Sequence, residues 1–429
     1  MATDSTVRTA SVSRRGSIRE RVSRFGPGLA LAVASVGAGD MVTALDGAET
    51  YGLGLAWTVV LGVLIKYALT EAVGRLQLSS DRTFMGNVAR AGRWLPSLLL
   101  AVVFVVALLY GAGLSSVAAL AVTAFVPGLP ALPTTIAIAV VAGVVVLVNR
   151  YSGFEALMIA ISGVLVVGMA ILAVASVTNM DSPSLVASTA TVSLPRGSIF
   201  AVLALLGGVG GGVGLSFYGY WIKEKGWSGR AYLGTVRRDT ALCYVTIFAF
   251  FLAMSVIGTA LLYATGHSLG ESEEGLAHLA GPIAEMAGEF ARLVFLVVFF
   301  LVVFSSIIGG FNGIAYLACD GIRVLRGIPE AEVAQHVSTR APVFRSAIVF
   351  MLVATIAVSA VGAPVQLVLL YAATGSLFLP LLAAALLWLL NRADLGEGLR
   401  NGPLANIVLV ASLLLFGTLG VLQVWELVG

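Results

Sequence analysis

Eleven apolar runs, each near the length needed to cross a membrane, follow one another along the chain and leave little sequence for anything else. They lie at residues 29–49, 54–75, 97–126, 131–149, 155–177, 198–222, 238–265, 291–320, 344–363, 366–390 and 404–427. A hydrocarbon layer of roughly 30 Å takes about 20 helical residues. Inside it only helices and closed barrels satisfy every backbone amide and carbonyl. With 59% hydrophobic residues, 11% charged ones and a mean hydropathy of +1.00, the chain lies outside the range of soluble domains. The expected fold class is therefore an all-α integral membrane protein with eleven transmembrane helices, its only bulk partner the lipid bilayer. No nucleic-acid partner is expected.

Basic residues assign the two sides. Arg8, Arg14, Arg15, Arg19, Arg21 and Arg24 precede the first run, and Arg75, Arg82, Arg90 and Arg93 follow the second. Arg150, then Lys223, Lys225, Arg230, Arg237 and Arg238, then Arg323, Arg326, Arg340 and Arg345, and last Arg392 and Arg400 continue the alternation. Together these loops hold 22 of the 25 Lys and Arg residues. Because basic loops stay in the cytoplasm, the N-terminus is expected inside, the C-terminus outside, and the protein in the plasma (inner) membrane. The loop carrying Glu271, Glu273, Glu274 and Glu285 falls on the outer side, as does Arg196, with Arg292 at a helix edge. No cleavage site follows the Arg- and Ser-rich tail, so no removable signal peptide is expected.

Little points to an enzyme. Cys243 and Cys319 lie in apolar runs and read as packing residues. His267, His278 and His336 fall in predicted loops, without the i, i+4 spacing that sets two imidazoles on one helical face. Neither a catalytic zinc nor any other cofactor is expected.

Two glycine-rich interruptions carry the functional signal. Gly37-Ala38-Gly39-Asp40 interrupts the first run, and the stretch Gly207-Gly208-Val209-Gly210-Gly211-Gly212-Val213-Gly214 interrupts the sixth. Non-helical backbone at membrane depth is tolerated only where protein packs it or it lines a cavity, and such breaks mark transporter sites. The breaks lie five spans apart. That spacing predicts two five-helix repeats, the second inverted, with the breaks facing each other near the midplane. The expected divisions are a cytoplasmic tail (1–25), a first repeat (26–177), an extracellular loop (178–197), a second repeat (198–390), and a linker with an eleventh helix (391–429).

From Gly26-Pro27-Gly28 to Tyr51-Gly52, and again from Leu205 to Lys225, the chain resembles the Nramp family of divalent-metal transporters, which share the fold of the amino-acid transporter LeuT. Trp57, Phe154-Glu155-Ala156-Leu157 and Arg238-Asp239 are further landmarks of the resemblance. It implies alternating access about a site between helices 1 and 6. The family's metal ligands do not carry over. Its Asp-Pro-Gly-Asn motif reads Gly37, Ala38, Gly39 and Asp40 here, and its Met-Pro-His motif reads Gly211, Gly212 and Val213. One oxygen ligand remains, and no thioether. Leu109 to Ser116 hold no acidic residue where the family places its proton route, and Ala372 stands where a glutamine is expected. In these losses the chain resembles family branches that move larger or partly hydrated ions, magnesium included.

The site residues follow from these readings. Asp40 is the expected metal or coupling-ion ligand, with an N-cap of the outer half-helix as the alternative. Gly37, Ala38 and Gly39 are assigned to the substrate site, as are Gly208, Gly210, Gly211 and Gly212, which are expected to expose carbonyls or make room, with close helix packing as the alternative for this second set. Tyr218 is assigned to the same site, although aromatic packing accounts for it equally. Asp46 and Glu49, spaced i, i+3, either line a vestibule or are solvated helix-end charges. Lys66 sits mid-span, where a buried ammonium needs a partner. It is assigned to coupling or gating, paired with Asp40 or Glu71. Tyr110, Ser115 and Thr374 are hydroxyls expected along the pathway. The expected function is a secondary transporter moving a small divalent cation, magnesium or manganese, without the usual proton coupling. The competing readings are a carrier of a small organic solute, such as an amine or amino acid, and a receptor that kept the scaffold.

Overall fold

The computed structural model describes residues 26–80, 82–180, 194–195, 198–266, 268, 274–360, 374–375, 377–395 and 398–428. The tail with its six arginines, Arg196, His267, Glu271, Glu273 and Ala372 lie outside the described residues, as do most of the 178–197 loop and residues 366–373 of the tenth expected span.

All described elements are helical. The first run forms α1 (Gly26–Ser35) and α2 (Ala38–Tyr51), bent by 64° at their junction. Then come α3 (Ala56–Ser79), a short α4 (Phe84–Val88), α5 (Trp94–Phe125), α6 (Ala131–Val148) and α7 (Tyr151–Thr178). The sixth run is split into α8 (Ile199–Gly208) and α9 (Phe217–Glu224), joined through a 3₁₀ turn at Val213–Ser216. The second half continues with α10 (Leu233–Gly258), α11 (Glu274–His278), α12 (Ala280–Leu325), α13 (Val333–His336), α14 (Pro342–Ser359), α15 (Phe378–Leu390) and α16 (Pro403–Val428). Among the described residues, nine spans are long and apolar enough to cross a membrane, and the bent α1–α2 pair makes ten. The tenth expected run is described only in part, as the shorter α15.

Two sequence expectations change. His278 and His336 end one-turn helices instead of lying in loops. The first break is also narrower than its glycines imply. Only Val36 and Gly37 leave the helix, and Ala38, Gly39 and Asp40 already form the first turn of α2.

The centre of the bundle is α12, which packs against α5, α7, α14 and α1. Small residues let it approach closely, as in membrane helix pairs generally. A β-carbon on Gly309 would stand 2.3 Å from the Ala34 side chain, one on Gly310 2.2 Å from the Tyr110 ring, and one on Gly313 2.2 Å from Phe217. On the outside the rule inverts: Val148, Leu404 and Phe290 are exposed, as lipid-facing side chains are.

The basic loops meet at one end of the bundle. Arg75 donates to the carbonyls of Leu399 and Arg400, Arg90 pairs with Asp394, Arg93 donates to Leu325, and Arg237 pairs with Glu71. The ion pair of Arg323 with Asp320, both buried, closes the same end.

Candidate functional site

A helix that stops inside a membrane leaves unpaired amides at one end and unpaired carbonyls at the other, and each such group costs several kcal/mol in hydrocarbon. At the first break side chains replace the lost partners of three backbone groups. In a continuous helix the Gly37 N–H would donate to the Val33 carbonyl; instead it donates to Asp40 Oδ2 at 2.6 Å, and Val33 accepts from Ser305 Oγ at 2.9 Å. The Val36 carbonyl, which would accept from the Asp40 amide, accepts from Ser306 Oγ at 2.6 Å. Ser306 is held from behind by Tyr110, whose hydroxyl donates to the Ser306 carbonyl at 2.7 Å.

Asp40 is therefore not the N-cap residue. Gly37 occupies that position, in extended backbone, and Asp40 reaches back to it from the first turn of α2. The carboxylate stands at the positive end of that helix, where its charge is favoured, and is 8% exposed. Among the described residues only Oδ2 is engaged, by the Gly37 N–H.

At the second break the partner comes from α3. Gly210 and Gly211 take φ of +76° and +73°, a conformation that costs glycine nothing and other residues much. The turn swings carbonyls out of the helical pattern, so that Leu215 N donates to Gly212 O, not to Gly211 O. Lys66 Nζ fills the gap. It donates to Gly211 O at 2.5 Å and to Gly207 O at 3.3 Å, lies 5.1 Å from the centre of the Phe416 ring, and is fully buried.

The expected carboxylate pairing of Lys66 is corrected here. Among the described residues it forms no ion pair with Asp40 or Glu71. Glu71 is engaged by Arg75 at 2.6 Å and Arg237 at 2.9 Å, and Asp40 acts on Lys66 only through space. Carbonyls at the end of a half-helix carry partial negative charge and serve as the counter-group.

The two breaks touch. A β-carbon on Gly211 would be 3.4 Å from that of Ser35, one on Gly208 3.6 Å from Thr43, and one on Gly212 3.1 Å from the Gly375 carbonyl. Thr374 thus lies next to the residue that abuts the second break. Ser35 was missed by sequence reasoning. Its hydroxyl is buried at the meeting point and, among the described residues, has no hydrogen-bond partner, yet a serine at the end of a helix carries no signal of that.

Other expected residues fall elsewhere. Tyr218 is buried in α9, and its hydroxyl donates to Asp239 Oδ2 at 2.9 Å and Val236 O at 3.3 Å, which ties α9 to α10 instead of facing the breaks. Asp46 is exposed and, with Glu49, sits on one face of α2, close enough for the two to repel. Ser115 is buried in α5 and, among the described residues, has no hydrogen-bond partner. Glu155 forms an ion pair with Lys225 at 2.8 Å at the basic end. Among the described residues no group of three or more His, Cys, Asp or Glu side chains converges as a metal cage.

Two interrupted helices meeting inside an all-helical, largely apolar bundle are the mark of a membrane transporter. The chain belongs to the Nramp (natural resistance-associated macrophage protein-like) family, a family of divalent-metal transporters, whose model matches residues 28–426. A histidine-to-alanine mutant of the manganese transporter of Eremococcus coleocola is similar, with a TM-score of 0.77 at 16% identity, covering 98% of this chain and 91% of that one. MHP1, a nucleobase-cation-symport-1 family transporter solved closed with bromovinylhydantoin bound, gives 0.60 at 13% identity over 94% and 92%. MhsT in complex with L-phenylalanine gives 0.59 at 14% over 92% and 98%. At these identities the likeness is one of fold. No curated protein matches the sequence.

Proposed function

We propose that the protein carries a divalent cation, magnesium or manganese, that keeps part of its water shell, by alternating access around Asp40 and without the family's usual proton coupling. The observation that carries this reading is the donor inventory at the joined breaks among the described residues: the second oxygen of Asp40 and the unpartnered hydroxyl of Ser35, with Gly207 O and Gly211 O already taken by Lys66. Hard oxygen donors in small number suit an ion that brings its own water, whereas a stripped transition metal wants several nitrogen or sulfur ligands. Retained water also screens the ion from the Lys66 ammonium.

The glycines at the second break serve this reading as space for a hydrated ion. The basic end, by the positive-inside rule, is the cytoplasmic one in a plasma (inner) membrane. Asp46 and Glu49 then stand on the outer half of α2, at the approach to the site.

Isothermal calorimetry of the purified protein with magnesium and with manganese, paired with uptake into liposomes carrying an internal pH dye, tests the proposal. One of the two ions is expected to bind and enter without acidifying the lumen, and Asp40→Asn to weaken binding at least tenfold, about 1.4 kcal/mol. Unaltered binding by that variant, acidification that tracks uptake, or heat only with an amino acid or amine would overturn it.

A further inference from the structure

Lys66 is a feature of the breaks that the transport of a cation does not require. Its placement is nevertheless built with care. Gly62, one turn earlier on α3, lets that helix close on α8, since a β-carbon there would already stand 3.3 Å from Val209 and 3.5 Å from the Leu206 backbone. That contact brings the residue four positions on, Lys66, level with the break. Consecutive left-handed glycines, Gly210 and Gly211, then turn a carbonyl toward the ammonium. Phe416 of α16 closes the opposite side with its ring face.

Two backbone carbonyls and an aromatic face around a positive centre form a monovalent-cation site. We propose that Lys66 is a resident cation: its ammonium fills, from within the chain, the carbonyl site at the second break that a dissolved monovalent ion would otherwise occupy. The lysine holds α8 and α9 in register across the break and balances the charge of Asp40. The empty carrier therefore needs no sodium or potassium to keep its shape. This inference concerns the lysine's own site and stands whatever the cargo.

The test is chemical replacement, read as melting temperature in detergent with N-methylglucamine as the background cation. The native protein is expected to melt at the same temperature when sodium, potassium or propylammonium is added. Lys66→Ala leaves a space shaped like propylammonium. The variant is expected to melt several degrees lower and to regain at least half of that loss with propylammonium, but none with tetramethylammonium, which has the charge and no N–H donor. Lys66→Met fills the space with an uncharged stem; it is expected to stay destabilised and to ignore propylammonium. Should the alanine variant unfold on purification, propylammonium kept present throughout is expected to recover folded protein. The proposal is overturned if either variant melts like the native protein, if propylammonium and tetramethylammonium act alike on Lys66→Ala, or if the native protein itself needs sodium or potassium. Because the readout is stability and no divalent ion is added, a wrong cargo assignment would leave these results unchanged.

Discussion

Gly309→Ala tests whether the first break depends on α12 lying against it. The added β-carbon would sit 2.3 Å from Ala34 Cβ and 3.0 Å from Ala34 Cα. Carbon atoms need at least 3.4 Å, so α12 must retreat by about 1.1 Å, and both partners are too short and stiff to turn away. Applied to the serines, that retreat stretches the Ser306–Val36 bond from 2.6 Å and the Ser305–Val33 bond from 2.9 Å to about 3.7 and 4.0 Å, beyond hydrogen-bond range. Two lost neutral bonds cost about 1 kcal/mol each and overpacking adds about 1–3 kcal/mol, while alanine regains about 0.5–1 kcal/mol of helix propensity, for a net loss of about 2–4.5 kcal/mol. Gly163→Ala is the control. No atom lies within 4 Å of its β-carbon, so the same substitution should stabilise by about 0.5–1 kcal/mol through helix propensity. The assay is unfolding by increasing dodecyl sulfate in mixed micelles, followed by tryptophan fluorescence. The double variant Ser305→Ala, Ser306→Ala isolates the hydrogen-bond share, about 2 kcal/mol. A Gly309→Ala protein within about 0.5 kcal/mol of the native one would refute the reasoning.

The same unfolding assay checks two more residues. Asp320 is fully buried and accepts from Thr83 Oγ1 at 2.8 Å, Met85 N at 3.1 Å and Tyr220 OH at 2.6 Å, besides pairing with Arg323 at 2.9 Å. Asp320→Asn therefore weakens the charge balance of a buried guanidinium and should cost about 3–5 kcal/mol, whereas Glu330→Gln, on the 29% exposed side of the network, should cost less than about 1 kcal/mol. Equal losses would refute that ranking. Tyr218→Phe leaves the buried Asp239 without its phenolic donor and should cost about 1–3 kcal/mol while leaving calorimetric cargo binding intact. Lost binding with native stability would return Tyr218 to the cargo site.

Several features were legible in the sequence because their chemistry is local. A glycine run inside an apolar helix, or a carboxylate and an ammonium at membrane depth, violates a rule that holds residue by residue. What those groups contact was not legible. Lys66 was expected to need a carboxylate, since the alternative acceptors, Gly207 O and Gly211 O, exist only once the turn at Gly210 and Gly211 has redirected the backbone. Ser305 and Ser306 resemble any helical serine bonding its own turn, and only the contact of α12 with Ala34 shows them reaching another helix. Tyr218 sits one helical turn beyond the second break in sequence, but α10 draws its hydroxyl to Asp239.

In the proposed reading, the two breaks set side by side explain why so few groups remain for a cargo. Three helices repair them: α2 through Asp40, α12 through its serines, and α3 through Lys66. Each repair pairs a backbone group that the break would leave bare, and each removes a donor or acceptor from the place where the breaks meet. Had the chain kept bare carbonyls for an ion, an empty site would leave them unpaired at several kcal/mol apiece, and the carrier would be stable only when loaded. With the lysine in place Gly207 O and Gly211 O are paired in the empty state, and in the proposed reading the oxygens of Asp40 and Ser35 are what a cargo ion meets. Weak, sparse coordination follows from that arrangement, and weak coordination is what an ion must meet if it is to leave on the other side.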